Sequence, residues 1–168
     1  MRMIDPMLME FDREASTTKK LLERLPDDKL SWRPHPRSMT LQDLAWHLAT
    51  IPATVAAGVL LDGMDLAERV KVPAPGSGAA IVEAFAANCA AAKGAMSQLD
   101  DAKVLGAWTL SSGGAKILEM PRIAFLRNIL LNHSIHHRGQ LSVYLRLLDV
   151  PLPPIYGPTA DENPFRKG

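Results

Sequence analysis

The chain has 168 residues, 47% hydrophobic and 22% charged, with a formal net charge of +1. That balance belongs to a folded globular domain rather than a disordered segment, and the length suffices to bury a core. With 19 Lys and Arg against 18 Asp and Glu, there is no cationic excess to displace counterions from phosphates, so nucleic acid is not an expected partner.

A single cysteine, Cys89, excludes an intramolecular disulfide and points to a reducing compartment. No apolar run approaches the roughly 20 residues that cross a bilayer. The opening Met1-Arg2-Met3-Ile4-Asp5-Pro6 interrupts the apolar stretch that a signal peptide needs. The expectation is one domain over residues 1–168, cytoplasmic, with no membrane partner.

Four segments repeat apolar residues every three or four positions, the spacing of one helix face. The first runs from Pro6 to Leu25, with Leu8, Phe11, Ala15, Thr18, Leu22 and Leu25 on its stripe. Pro6 suits a first turn, where its missing N–H costs nothing, and Pro26 ends the helix. A polar linker follows, Asp27 to Met39, carrying Trp32, Pro34 and Pro36. Thr40 then stands as an N-cap with Asp43 three residues on, close to a capping box. The second helix turns Leu41, Leu44, Leu48, Ile51, Val55 and Val59 inward, and Pro52 inside it removes a hydrogen bond.

Residues Asp62 to Gly78 read as a long connection rich in Gly and Pro. The third helix, Ala79 to Leu99, has the seam Val82, Phe85, Cys89, Ala92, Met96 and Leu99, and its alanines favour helix and close approach. Between Asp100 and Met120 the period changes. Trp108-Thr109-Leu110 and Lys116-Ile117-Leu118 flank Ser111-Ser112-Gly113-Gly114, the pattern of a two-stranded hairpin with a Gly-containing turn. The fourth helix, Pro121 to Leu148, is the longest, with Ile123, Leu126, Leu130, Leu141, Tyr144 and Leu148 on one side. The proline-rich tail beyond Asp149 is expected to be irregular. The fold class is therefore all-α: a four-helix bundle with long connections and a small β-hairpin before the last helix.

The chemistry is concentrated in Asn132-His133-Ser134-Ile135-His136-His137-Arg138-Gly139-Gln140. On the stripe 126, 130, 133, 137, 141, 144, His133 and His137 take successive core-facing positions. Four residues turn about 400°, so the two imidazoles stack about 40° apart and one helix can offer both to a metal. His47 lies beside the second stripe among Leu44, Leu48 and Ile51, pointing into or along the interior, where a facing helix supplies partner ligands. Neutral imidazole suits zinc, nickel, iron or copper. Three protein ligands leave positions open to water or substrate, as catalytic sites do.

A single core-facing histidine is ordinarily a hydrogen-bonded core residue. An inward row of them is different, because each buried group without a partner costs about 1–3 kcal/mol, a cost that a metal removes. His136, about 60° to the other side of His133, could chelate with it in place of His137. It ranks second as a ligand, is expected beside the ligands or in the cavity, and is the one clear general base that the sequence offers. His35, in the linker, is expected to be solvated.

The pieces Leu44-Ala45-Trp46-His47-Leu48-Ala49, Asn132 to Leu141, and Ile155-Tyr156-Gly157-Pro158-Thr159-Ala160-Asp161-Glu162 together resemble the DinB-like family, also called the damage-inducible or YfiT-like metalloenzymes. Trp32-Arg33-Pro34 adds to the likeness, which spans residues 32 to 165. The resemblance implies a four-helix bundle in which His47, His133 and His137 bind one divalent metal ion, zinc or nickel first, iron or manganese next. It also implies a homodimer, and a small-molecule substrate handled with a low-molecular-weight thiol, because relatives include thiol S-transferases and a mycothiol-dependent maleylpyruvate isomerase.

Two functions from different classes follow. One is a metal-dependent enzyme that activates a thiol or water, with His136 as base. The other is a non-catalytic metal- or ligand-binding dimer with a stress-response role. A third, a DNA-binding damage factor, needs a basic stripe that the composition lacks. Among the remaining residues, Arg138 reads as a solvated or interface charge or a grip for an anionic substrate. Gln140 is a candidate partner for a ligand histidine or a helix-capping or surface residue, Gly139 marks a close helix contact, access to the metal or simple tolerance, and Cys89 is a buried inert thiol. Tyr156 and Asp161 are expected in a tail packed on the surface.

Overall fold

The structure is a computed structural model that describes residues 1–166. Its long helices are α1 (Ile4–Leu22), α2 (Leu41–Gly58) and α3 (Gly78–Met96), followed by a short α4 (Asp101–Leu105). The C-terminal helix comes in three parts with helical backbone across both junctions: α5 (Arg122–Phe125), a π-wound stretch Leu126–Asn132, and α6 (His133–Leu147). Packing is most extensive between α2 and α3; α1 packs on α3 and α6, and α2 on α6.

The helices form where capping and periodicity agree. Thr40 Oγ1 accepts from the Asp43 N–H at 3.0 Å, so α2 starts at the expected cap. Ser77 caps α3 and Asp100 caps α4 in the same way. Helix α2 continues through Pro52, which withholds the N–H that Leu48 would otherwise accept. Leu44, Leu48, Phe85, Met96, Leu126 and Leu141 are all in one buried cluster. Each such side chain contributes about 1.5–3 kcal/mol on burial. Two stripes hold at Phe11, Thr18 and Leu22 and at Phe85, Ala92, Met96 and Leu99, and differ from expectation at their edges. In α1 the buried residues are Ile4, Met7, Phe11, Thr18, Leu21 and Leu22, while Leu8, Ala15 and Leu25 are only partly covered. In α3 Ile81 is buried, and Val82 and Cys89 pack at the edge.

The fold is not purely helical. Strands β1 (Gly63–Asp65), β2 (Ala107–Ser112) and β3 (Ala115–Pro121) form a sheet in the order β1-β2-β3. The expected hairpin is β2 antiparallel to β3, with Leu110 opposite Leu118, and its turn holds Gly113 and Gly114 at φ +59° and +80°. Positive φ at both central positions is what a tight two-residue turn demands. The third strand corrects the reading of residues 62–78 as plain connection: β1 pairs parallel to β2, Gly63 opposite Thr109. A Cβ on Gly63 would stand 2.3 Å from the Thr109 carbonyl oxygen, so only glycine permits that approach. Asp65 then clips the hairpin turn, its carboxylate accepting from the N–H groups of Gly113 at 2.9 Å and Gly114 at 2.7 Å.

Alternation along β3 turns Leu118 and Met120 inward and Ile117 and Glu119 outward. Trp108 of β2 is 1% exposed, stacks on Phe125 at 3.8 Å and donates its indole N–H to the Gly58 carbonyl at 3.1 Å. Arg122, also buried, ties the sheet to the helices through the Lys103 carbonyl, the Leu61 carbonyl and Asp62. Residues 151–166 of the tail are irregular, as expected, and held down: Asp161 accepts from the Leu152 N–H at 2.8 Å, and Arg24 pairs with Glu162 at 2.6 Å. Among the described residues, no helix is long and apolar enough to cross a membrane.

Candidate metal centre

Helices α2 and α6 bring His47, His133 and His137 together. One ligand nitrogen from each lies within 4.8 Å of the others, and the ring centroids are 4.4–5.1 Å apart. The Nε2 atoms of His47 and His133 are 2.9 Å apart. Nitrogens bound at about 2.0–2.1 Å to a common ion stand about 3 Å from each other, so this pair, which also has the separation of a ring-to-ring hydrogen bond, is spaced for a shared cation. On the far side of His137, Nδ1 meets Gln140 Oε1 at 2.7 Å. An amide oxygen only accepts, so Nδ1 carries the proton and Nε2 keeps its lone pair for the cluster.

Electrostatics keep these rings neutral. Burial, then the His137 and His133 rings and Arg69, hold His47 well below the usual imidazole range, at about 4. His133 is lowered by burial, then by His137, His136 and Arg69. Burial lowers His137 as well, against the opposing pull of Gln140. Neutral imidazoles with free lone pairs are the form that binds borderline metals. The all-nitrogen donor set suits zinc, nickel, iron or copper better than magnesium or calcium.

His136 stands apart from this cluster. It is exposed, with its ring 4.9 Å from that of His137, and the close set is completed by His137 and not by His136. His35 is exposed, its Nδ1 accepting from the Arg37 N–H at 3.2 Å. Burial, then Asp12, pushes the Cys89 thiol up to about 12, which agrees with an inert role. Gly139 faces open space, so no close helix contact accounts for it.

Arg138 overturns its reading as a solvated charge. It is 1% exposed; Nη2 lies 2.6 Å from Glu14 Oε2, and Nη1 donates to the Glu14 carbonyl at 3.1 Å and to Thr18 Oγ1 at 3.3 Å. Tyr156 covers this pair from the tail, donating to Glu14 at 2.9 Å with its ring 4.9 Å from the guanidinium carbon. Enclosed in this way, Arg138 has no room for a substrate anion.

Beside the histidines lies a cavity of about 260 Å³ that the sequence did not disclose. His47 and His133 form part of its wall, with Thr50 and Thr54 of α2, Arg69 of the connection, and an apolar side built from Leu110, Leu118, Met120, Phe125 and Ile129. It continues into an open groove past Trp46 and Arg69. Only the hairpin periodicity hinted at this wall. The contribution of residues 64–69 rests on a three-residue parallel strand that leaves no periodic trace.

The DinB family model matches residues 2–164. The protein YrdA of Bacillus subtilis (strain 168) is 31% identical over 168 residues, covering 95% of this chain and 91% of the relative. The crystal structure of a DinB-like protein from Bacillus cereus ATCC 10987 superposes with a TM-score of 0.71 at 27% identity, covering 89% of this chain and 95% of that one. A second, the DinB-like protein YjoA from Bacillus subtilis, shares the fold with a TM-score of 0.73 at 18% identity over 90% of this chain and 98% of that one. On a match of this extent, together with the clustered histidines, the chain belongs to the DinB family.

Proposed function

We propose that His47, His133 and His137 hold one divalent ion, zinc or nickel first and iron or manganese next, inside a four-helix bundle formed by α1, α2, α3 and the C-terminal helix. We further propose that the protein is an enzyme acting on a small molecule with a thiol, or with water, as nucleophile. The observation that carries this reading is the convergence of three neutral imidazoles at the edge of an apolar cavity. An ion bound there supplies Lewis acidity that lowers the pKa of a thiol or water ligand towards neutrality. Gln140 orients His137. The walls from β2 and β3 exclude water, and a ring nitrogen of the exposed His136 takes the proton. Two copies pair as a homodimer, which sedimentation velocity would test.

The experiment is metal analysis of protein purified without a nickel column, followed by a screen of low-molecular-weight thiols against electrophiles. About one equivalent of metal is expected, falling below one-tenth in His47→Ala, His133→Ala and His137→Ala. Unchanged metal in those variants would remove the site. One observation favours the second reading, a non-catalytic ion bracing α2 against α6: His136, the candidate base, is exposed and outside the cavity lining. Full metal loading with no thiol or hydrolytic turnover would select that reading.

A further inference from the structure

We propose that the cavity beside His47 and His133 takes an organic monocarboxylate, its apolar body inside and its carboxylate on Arg69 at the mouth. The proposal names a substrate class for the site described above and rests on that reading for its chemistry, though not for its binding.

Arg69 lines both the inner cavity and the outer groove. Arg2, Arg24, Arg122, Arg127, Arg138 and Arg146 each hold a carboxylate of the chain. Arg69 does not. Its contact is a hydroxyl, Nη2 donating to Thr54 Oγ1 at 3.1 Å, and among the described residues it forms no ion pair. A guanidinium retains a second face for a carboxylate, which it matches in shape as well as charge.

The rest of the cavity is amphipathic in a matching way. His47, Thr50 and Thr54 follow one face of α2 and lead from the imidazoles to Arg69, while the opposite side is hydrocarbon from β2, β3 and the π-wound stretch. Seven residues of helix span about 10 Å, which sets the length of a ligand reaching from Arg69 to His47. The volume of about 260 Å³ exceeds the ~150 Å³ cavity that accepts benzene. An aryl-alkyl or medium-chain acid fits both measures. A neutral hydrocarbon would leave the arginine unanswered, and among the side chains that line the inner cavity Arg69 is the one permanent cation, the match for a single carboxylate.

The test is calorimetric titration of the full chain, metal-loaded and after EDTA treatment, with 4-phenylbutanoate and with 4-phenylbutanamide, its neutral isostere. The acid should bind at least about tenfold more tightly than the amide in both preparations. Arg69→Gln should bring the acid down to the level of the amide, and Arg69→Lys should retain part of the difference. Leu118→Trp should weaken both ligands by filling the cavity while leaving metal content unchanged. Equal binding of acid and amide, no binding of either, an acid preference that survives Arg69→Gln, or no effect of Leu118→Trp would each overturn the proposal. Metal content separates the two readings: a chain without metal that still discriminates through Arg69 ends the metal-site reading alone.

Discussion

His137 and Arg138 are consecutive on α6 and both are buried, at 8% and 1% exposure, yet the chain treats them oppositely. One residue of helix turns about 100°, so His137 faces α2 and His47 while Arg138 faces α1 and Glu14. The arginine finds its carboxylate, a backbone carbonyl and a hydroxyl within the chain. The histidines find one another. A charge paired inside the chain serves the fold; ring nitrogens gathered in a cluster, with one pair 2.9 Å apart, are placed to serve an added ion. One side of α6 holds a buried ion pair, and the other gathers the histidines proposed to hold an ion.

The largest effect expected from breaking that division is on the arginine side. Glu14→Ala leaves a buried guanidinium without its carboxylate and should cost about 3–5 kcal/mol in urea denaturation. Replacing both partners, Glu14→Leu with Arg138→Met, should recover most of it, since an apolar pair of similar volume avoids desolvating two charges. Metal content per folded chain should not move in either variant. A loss of metal in Glu14→Ala would show that the two sides of α6 are not separate.

On the histidine side the next effect is in affinity rather than stability. Gln140→Ala frees His137 Nδ1 and should weaken metal binding about 10–100-fold, as removing an outer partner of a ligand histidine does. Competition with a chromophoric chelator would read it. Because Gln140 is exposed, unfolding free energy should stay within about 0.5 kcal/mol. Gln140→Glu should restore the affinity, since a carboxylate orients the ring equally well.

The histidine side was legible in the sequence and the arginine side was not, for a geometric reason. Periodicity identifies one stripe, and His133 and His137 fall on the stripe facing α2. The C-terminal helix is wedged between α1 and α2, so its buried arc is wider than one stripe and takes in Arg138 at the adjacent position. The caps at Thr40 and the Gly113-Gly114 turn were legible because their determinants are local. Strand β1 and Arg69 were not, since parallel pairing to a strand more than forty residues away leaves no trace in three residues. The π-wound stretch before His133 likewise obeys no simple residue pattern.

The pH dependence of the metal-free protein should sharpen the comparison further. The unfolded imidazole titrates at the ordinary 6.5, whereas His47 in the fold titrates at about 4. Between those values the unfolded chain binds more protons, so stability rises with pH across that window and is lost as pH falls through it. The lowered carboxylates Asp65 and Asp161 act below their ordinary 3.8, outside it. The half-buried position of His47 lets solvent screen the effect, so the change should be smaller than that of Glu14→Ala. His47→Gln should reduce the slope to the share left by His133 and His137, which burial also lowers, and an unaltered slope would detach it from the cluster.

The smallest effect should come from the tail. The Tyr156 hydroxyl donates to Glu14 at 2.9 Å, but the residue is 69% exposed and Glu14 already has Arg138. Tyr156→Phe should therefore cost about 0.5–1.5 kcal/mol at most, because water replaces the lost donor at a site it already reaches. The ring stays over the guanidinium in that variant, so Tyr156→Ala should cost about 0.5–1 kcal/mol more, the usual size of an exposed cation–π contact. Urea denaturation of the two variants beside Glu14→Ala would rank them. If Tyr156→Phe cost as much as Glu14→Ala, the tail would belong to the buried charge network itself, and the fold-stabilising side of α6 would extend into the segment beyond Val150.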